Sequence, residues 1–279
     1  MIYQRFNIWE GSGCKQQTDA NLSVYIPDNS PEIDMNRRYK AVLICPGGGY
    51  QGVSDREAEP VALAFLAKGI AAFVLRYSVA PARYPTALLE VSRAMWLIRQ
   101  RADEWNINAD DIAVCGFSAG GHLAASLGTL WNEAFIPEEL GMPEGMNKPN
   151  KLILCYPVIL CEEGRAHRDS FYNLLGRGLP EEEYEKFSLD RRVGPHTPPT
   201  FLWHTMTDDV VPVENSLLFV QQLHRYGVAC ECHLFESGRH GMSVATREVD
   251  AASRAVHAWV GLCQTWLTAR FGPLGGDAE

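Results

Sequence analysis

The chain has 279 residues, 46% of them apolar and 21% charged, with a formal charge of −9. That is enough apolar material for a substantial core. The acidic balance excludes a non-specific nucleic-acid binder and offers no attraction to anionic membranes.

No apolar run approaches the length of a membrane span. Residues 1–6 lack the charged start and apolar stretch of an export signal. The eight cysteines are scattered without a Cys-x-x-Cys pair, so reduced thiols and a cytoplasmic location are expected.

Residues 3–9 and 22–26 read as strands ahead of any helix, and they are expected to pair antiparallel at one sheet edge. Residues 41–45 read as a strand running into Pro46-Gly47-Gly48-Gly49-Tyr50. Residues 56–68 read as a helix stopped by Gly69, and 70–75 as a strand. Residues 86–101 read as a helix, with Leu88, Val91, Met95 and Ile98 at three-to-four spacing. A short strand over 112–115 leads towards a helix over 123–130. Strands over 152–156, 200–204 and 231–235 follow, with helices over 213–226 and 244–270.

This alternation predicts an α/β architecture: a mostly parallel eight-stranded sheet with helices on both faces, in a single domain of residues 1–279. Two stretches interrupt the rhythm, 132–150 and 162–199. Both follow strands on the edge where ligands gather, and they are candidates for a small cap. The acidic run Glu181-Glu182-Glu183 reads as a solvated helix start, and residues 272–279 as a disordered tail.

The most informative segment is Gly116-Phe117-Ser118-Ala119-Gly120-Gly121-His122. A strand ends in a serine flanked by glycines, and a helix opens behind it. This is the nucleophile-elbow pattern. The turn is tight enough that a Cβ two residues before or after the serine would strike the neighbouring strand or helix.

In an open parallel sheet, ligands bind beyond the carboxyl ends of the strands. Two other strand ends supply partners for Ser118. The loop after 200–204 carries Asp208 and Asp209, and either could serve. The loop after 231–235 carries His240 between glycines, in Gly238-Arg239-His240-Gly241. A serine hydroxyl needs a histidine to take its proton, and the histidine needs a carboxylate to fix its tautomer. The glycine run after 41–45 offers Gly48 and Gly49 N–H groups, which with the Ala119 N–H would form an oxyanion hole.

Gly47, Gly49 and Gly52 also fit G-x-G-x-x-G, the dinucleotide fingerprint. That motif needs an acid at the end of the next strand, where Leu75-Arg76-Tyr77 has none. The nucleotide reading would also leave Ser118, the aspartates and His240 unexplained. Tyr50 reads as a substrate-binding pocket wall or a packed aromatic. His122 reads as a residue that hydrogen-bonds locally or packs. Alternation along one strand separates Cys230 and Cys232 from His233, against a shared metal.

With these residues in view, the chain resembles the α/β-hydrolase superfamily over nearly its whole length. It looks most like the small esterases related to acetyl esterases and acetyl-xylan esterases. The carriers are Pro46 to Tyr50, the Tyr77-Ser78-Val79 and Tyr84-Pro85-Thr86-Ala87-Leu88 segments, the Ser118 elbow, His204 to Pro212, and Gly238 to Gly241. Pro46 stands where the hormone-sensitive-lipase branch carries histidine, which favours the sugar-esterase-like branch.

The resemblance implies the α/β-hydrolase fold and a triad of Ser118, Asp208 and His240. Asp208 is favoured over Asp209 by the family spacing D-x-x-V-P. It implies a serine carboxylester hydrolase that needs no metal or organic cofactor. The expected partner is a small-molecule ester, an acetylated sugar being the leading candidate, and the oligomeric state is open, a homodimer included. A serine amidase, formamidase or peptidase on the same fold, and a binding protein with a disused triad, are the alternatives.

Overall fold

The computed structural model describes residues 1–13 and 17–268. Its strands are β1 (Ile2–Asn7), β2 (Asn21–Ile26), β3 (Tyr39–Cys45), β4 (Ala71–Arg76), β5 (Ile107–Phe117), β6 (Lys151–Cys155), β7 (Thr200–Thr205) and β8 (Cys230–Phe235). They form one eight-stranded sheet in the order β1-β2-β4-β3-β5-β6-β7-β8. β1 with β2 and β2 with β4 run antiparallel. The remaining pairs are parallel.

The helices are α1 (Glu59–Leu66), α2 (Thr86–Gln100), α3 (Ser118–Leu130), α4 (Phe135–Leu140), α5 (Arg168–Leu175), α6 (Glu181–Glu185), α7 (Glu214–Arg225) and α8 (Arg254–Thr268). Strand alternation divides the apolar residues between two cores. Leu43, Phe73, Val114, Leu154 and Leu202 face the core built with α2, α3 and α7. Ile44, Val74, Cys115, Ile153 and Trp203 face the core built with α1 and α8. Burial on both faces is why these strands read as near-continuous apolar runs. The architecture is the α/β-hydrolase fold.

Several element boundaries differ from the sequence reading. The helix expected over 56–68 is a 3-10 turn at Asp55–Glu57 followed by α1, with Pro60 in the first helical turn. The proline's missing N–H is tolerated there and not further in. β5 begins earlier than expected, because Ile107 pairs with Tyr39 across an irregularity in the register. The helix expected from 123 begins at Ser118 itself.

The helix expected over 244–270 starts only at Arg254. Ser243, Ala245 and Asp250 hold left-handed backbone, with φ of 52°, 54° and 53°, which a right-handed helix cannot accommodate. Met242, Val244 and Ala245 are buried in a loop and Val249 in a 3-10 turn at Arg247–Val249, so their apolar pattern reports burial rather than α-helical period. Residues 269–270 of that helix and the expected tail 272–279 lie outside the described residues.

The 132–150 stretch contains α4, which packs on α2. It is tied down where Arg99 donates to the Met146 and Lys148 carbonyls at 2.7 and 2.6 Å. The 162–199 stretch contains α5 and α6. No helix among the described residues is long and apolar enough to cross a membrane.

Candidate active site

Ser118 stands where β5 turns into α3, with φ of 54°. Its flanking glycines are dictated by close approach. A Cβ on Gly116 would lie 2.1 Å from the Gly120 carbonyl oxygen, and one on Gly120 would lie 2.1 Å from that of Cys45. No side chain fits at either position.

The loops after β7 and β8 bring their groups to this serine. His240 Nε2 lies 2.8 Å from Ser118 Oγ. His240 Nδ1 lies 2.7 Å from Asp208 Oδ2. With Nδ1–H donating to the carboxylate, Nε2 is left to accept the serine proton.

Asp208 Oδ1 accepts the Val210 and Val211 N–H groups at 2.9 and 2.8 Å. The carboxylate is 1% exposed. Burial alone would raise its pKa, but hydrogen bonds from His204, His240 and the Val211 N–H hold it well below the usual carboxylate range. Asp209 does something different: its Oδ1 accepts the backbone N–H of His240 at 3.1 Å. Geometry therefore joins Asp208 to the imidazole and gives Asp209 the loop backbone.

The glycine loop faces the same serine. Gly48 has φ of 132°, and a Cβ there would lie 2.2 Å from the Gly52 carbonyl oxygen. The Gly47 N–H donates to Glu57 Oε2 at 2.7 Å. The N–H groups of Gly48 and Gly49 have no hydrogen-bond partner among the described residues. Ala119 lies in the first turn of α3, where backbone N–H groups have no intrahelical acceptor. These three donors suit an oxyanion.

A cavity of about 180 Å³ is lined by Gly48, Gly49, Ser118, His167, Val210 and His240, with Arg56 and Glu57 on its wall. His167, Arg56 and Glu57 had no visible signal in the sequence. His167 sits just ahead of α5 in the patternless 162–199 stretch, with Nδ1 2.8 Å from Ser170 Oγ. Burial and the nearby His240 charge lower its pKa. Residues 132–150 are not among those lining this cavity.

Tyr50 corrects the expectation of a pocket wall. Its ring is 2% exposed and does not line the cavity. Its hydroxyl meets His122 Nδ1 at 3.0 Å, and His122 Nε2 meets the Phe187 carbonyl at 3.1 Å. A buried phenol needs such a partner, so Tyr50 anchors the glycine loop from beneath. His122 hydrogen-bonds and packs, but its partners come from distant segments and not from its own helix. Burial lowers its pKa to about 4, which keeps the ring neutral. His233 pairs with Glu231 at 2.8 Å.

A profile of the BD-FAE family matches residues 22–223. The chain belongs to the BD-FAE family. This member is 34% identical over 256 residues to Endo-1,4-beta-xylanase B of Butyrivibrio fibrisolvens, covering 88% of this chain and 38% of that protein. It is 31% identical over 232 residues to an Acetylxylan esterase of Xylanibacter ruminicola, covering 81% of this chain and 44% of that one. The chain thus spans less than half the length of these two relatives.

Among solved structures, an acetyl ester-xyloside bifunctional hydrolase from Caldicellulosiruptor lactoaceticus superimposes with a TM-score of 0.83 at 36% identity, over 94% of each chain. These relationships put the BD-FAE chain in an esterase branch of the α/β-hydrolase superfamily.

Proposed function

We propose that this chain is a serine carboxylester hydrolase that removes short acyl groups, acetyl foremost, from a carbohydrate or another small alcohol. The observation that carries the reading is the unbroken hydrogen-bond chain from Ser118 through His240 to Asp208. Ser118 Oγ attacks the acyl carbonyl while its proton passes to His240 Nε2. Asp208 holds the imidazole tautomer and stabilises the imidazolium. The Gly48, Gly49 and Ala119 N–H groups receive the tetrahedral oxyanion.

Collapse of that intermediate breaks the ester C–O bond, and His240 returns the proton to the departing alcohol. Water then attacks the acyl-enzyme with His240 as its base, which releases the acid and restores Ser118. The small cavity supports a short acyl group: about 180 Å³ is well below the roughly 300–1,000 Å³ of sites for drug-sized ligands. The acetyl-ester and xylan terms in the names of its relatives support an acetylated sugar.

Profiling acetylated xylo-oligosaccharides against p-nitrophenyl acetate tests the alcohol. A higher kcat/KM on the sugar esters is expected. Equal or lower values would remove the carbohydrate assignment and leave a general short-chain esterase.

A further inference from the structure

Glu57 is a buried carboxylate that the triad does not use. It is 3% exposed, whereas its neighbours Asp55 and Arg56 are exposed. The 3-10 turn ends before α1 begins, and this turns Glu57 inward. Its Oε2 accepts the Gly47 N–H at 2.7 Å. Its Oε1 accepts the Tyr156 hydroxyl at 2.6 Å.

Each contact reaches one half of the catalytic arrangement. Gly47 immediately precedes the two glycines that line the cavity. The Tyr156 hydroxyl accepts the Ser243 N–H at 2.9 Å, three residues beyond His240. The Tyr156 ring also meets the His240 ring edge-on, with centroids 5.0 Å apart. A Cβ placed on Gly47 would lie 2.7 Å from Glu57 Oε2 and 2.9 Å from Ser118 Cβ. The carboxylate therefore sits beside the serine, with Oε2 taken by the glycine loop and Oε1 linked through the Tyr156 hydroxyl to the loop that follows His240.

We infer that Glu57 is a positioning residue that couples the oxyanion loop to the histidine loop; this rests on the serine-hydrolase reading above. A charged acceptor holds the Gly47 peptide in one orientation, and that orientation aims the Gly48 and Gly49 N–H groups. The Tyr156 arm holds the turn that carries His240. Small misplacements of preorganised donors weaken transition-state binding more than substrate binding. Loss of Glu57 should therefore lower kcat and leave KM alone.

The test uses Glu57→Gln, Glu57→Ala and Tyr156→Phe in the full chain. Two readouts are taken: kcat and KM on p-nitrophenyl acetate, and the rate at which a fluorophosphonate labels Ser118, followed by mass. The label forms a tetrahedral adduct whose oxygen occupies the oxyanion site, so it reports the machinery whatever the natural substrate.

Glu57→Gln should lose about tenfold to a hundredfold in both kcat and labelling rate, with KM within about twofold of wild type and the thermal midpoint retained. Glu57→Ala should fall further, because Gln can still accept from Gly47. Tyr156→Phe should lose less, in the same direction. Labelling of the variants at the wild-type rate, or losses that follow only the folded fraction, would overturn the coupling role. A wild-type protein that is never labelled at Ser118 would overturn the serine-hydrolase reading and this inference with it.

Discussion

His204 Nε2 lies 3.2 Å from Asp208 Oδ2, the same oxygen that accepts the His240 Nδ1–H. His204 is fully buried at the end of β7. Its Nδ1 accepts from the Ser216 hydroxyl at 2.6 Å, and its Nε2–H is shared with the Val211 carbonyl at 3.0 Å. Asp208 is thus held by two histidines and two backbone N–H groups before any substrate arrives. His204→Gln should weaken that hold and lower kcat about tenfold, with little change in KM. An unchanged kcat in a folded variant would assign His204 to packing alone.

The two aspartates separate by role. Asp208→Asn should lower kcat about a thousandfold to ten-thousandfold, because an amide cannot fix the required imidazole tautomer. Asp209→Asn retains an oxygen for the His240 N–H and should lose only a fewfold. Steady-state kinetics of the pair decide the matter, and equal losses would contradict the assignment.

The glycine loop is sensitive at one position and tolerant at another. Gly48→Ala forces a Cβ to 2.2 Å from the Gly52 carbonyl oxygen, at a φ that side chains avoid. A loss of about a hundredfold in kcat is expected as the donor moves. A Cβ at Gly52 meets nothing within 4 Å, so Gly52→Ala should stay near wild type. Matching activities for the two variants would remove the loop from the oxyanion site.

His122 should make stability depend on pH. Its folded pKa of about 4 lies below the unfolded value of about 6.5. The unfolded chain therefore binds a proton first, and stability is full above about pH 6.5 and lost as pH falls towards 4. Between pH 7.5 and 5 this group alone should cost about 2 kcal/mol. Urea unfolding at both pH values should show that drop in wild type, reduced by this amount in His122→Gln. Parallel pH dependence in the two proteins would contradict a neutral buried His122.

Much of this arrangement is legible in the residues, for a physical reason. The elbow needs glycine at fixed positions, and the Ser–Asp–His order follows strand ends that alternation exposes. Gly116, Gly120, Ser118 and His240 announce themselves in this way. Glu57 does not, because Asp55-Arg56-Glu57 has the look of a solvated surface run. Only the break before Pro60 turns its third member inward.

His167 is hidden similarly, in a stretch without period or motif. The inward ring of Tyr50 depends on its left-handed backbone, φ 54°, which a residue type other than glycine does not advertise. Asp208 and Asp209 are chemically identical, so the residues alone do not separate them. Family spacing favours Asp208, and hydrogen bonds at 2.7 and 3.1 Å separate their roles.

The proposed reaction stands or falls on Ser118 cleaving short acyl esters. The most direct measurement is hydrolysis of p-nitrophenyl acetate, butyrate and octanoate by wild type and Ser118→Ala. Turnover is expected to be greatest on acetate, to fall with chain length and to be abolished in the variant. No Ser118-dependent turnover on any of the three esters would contradict it.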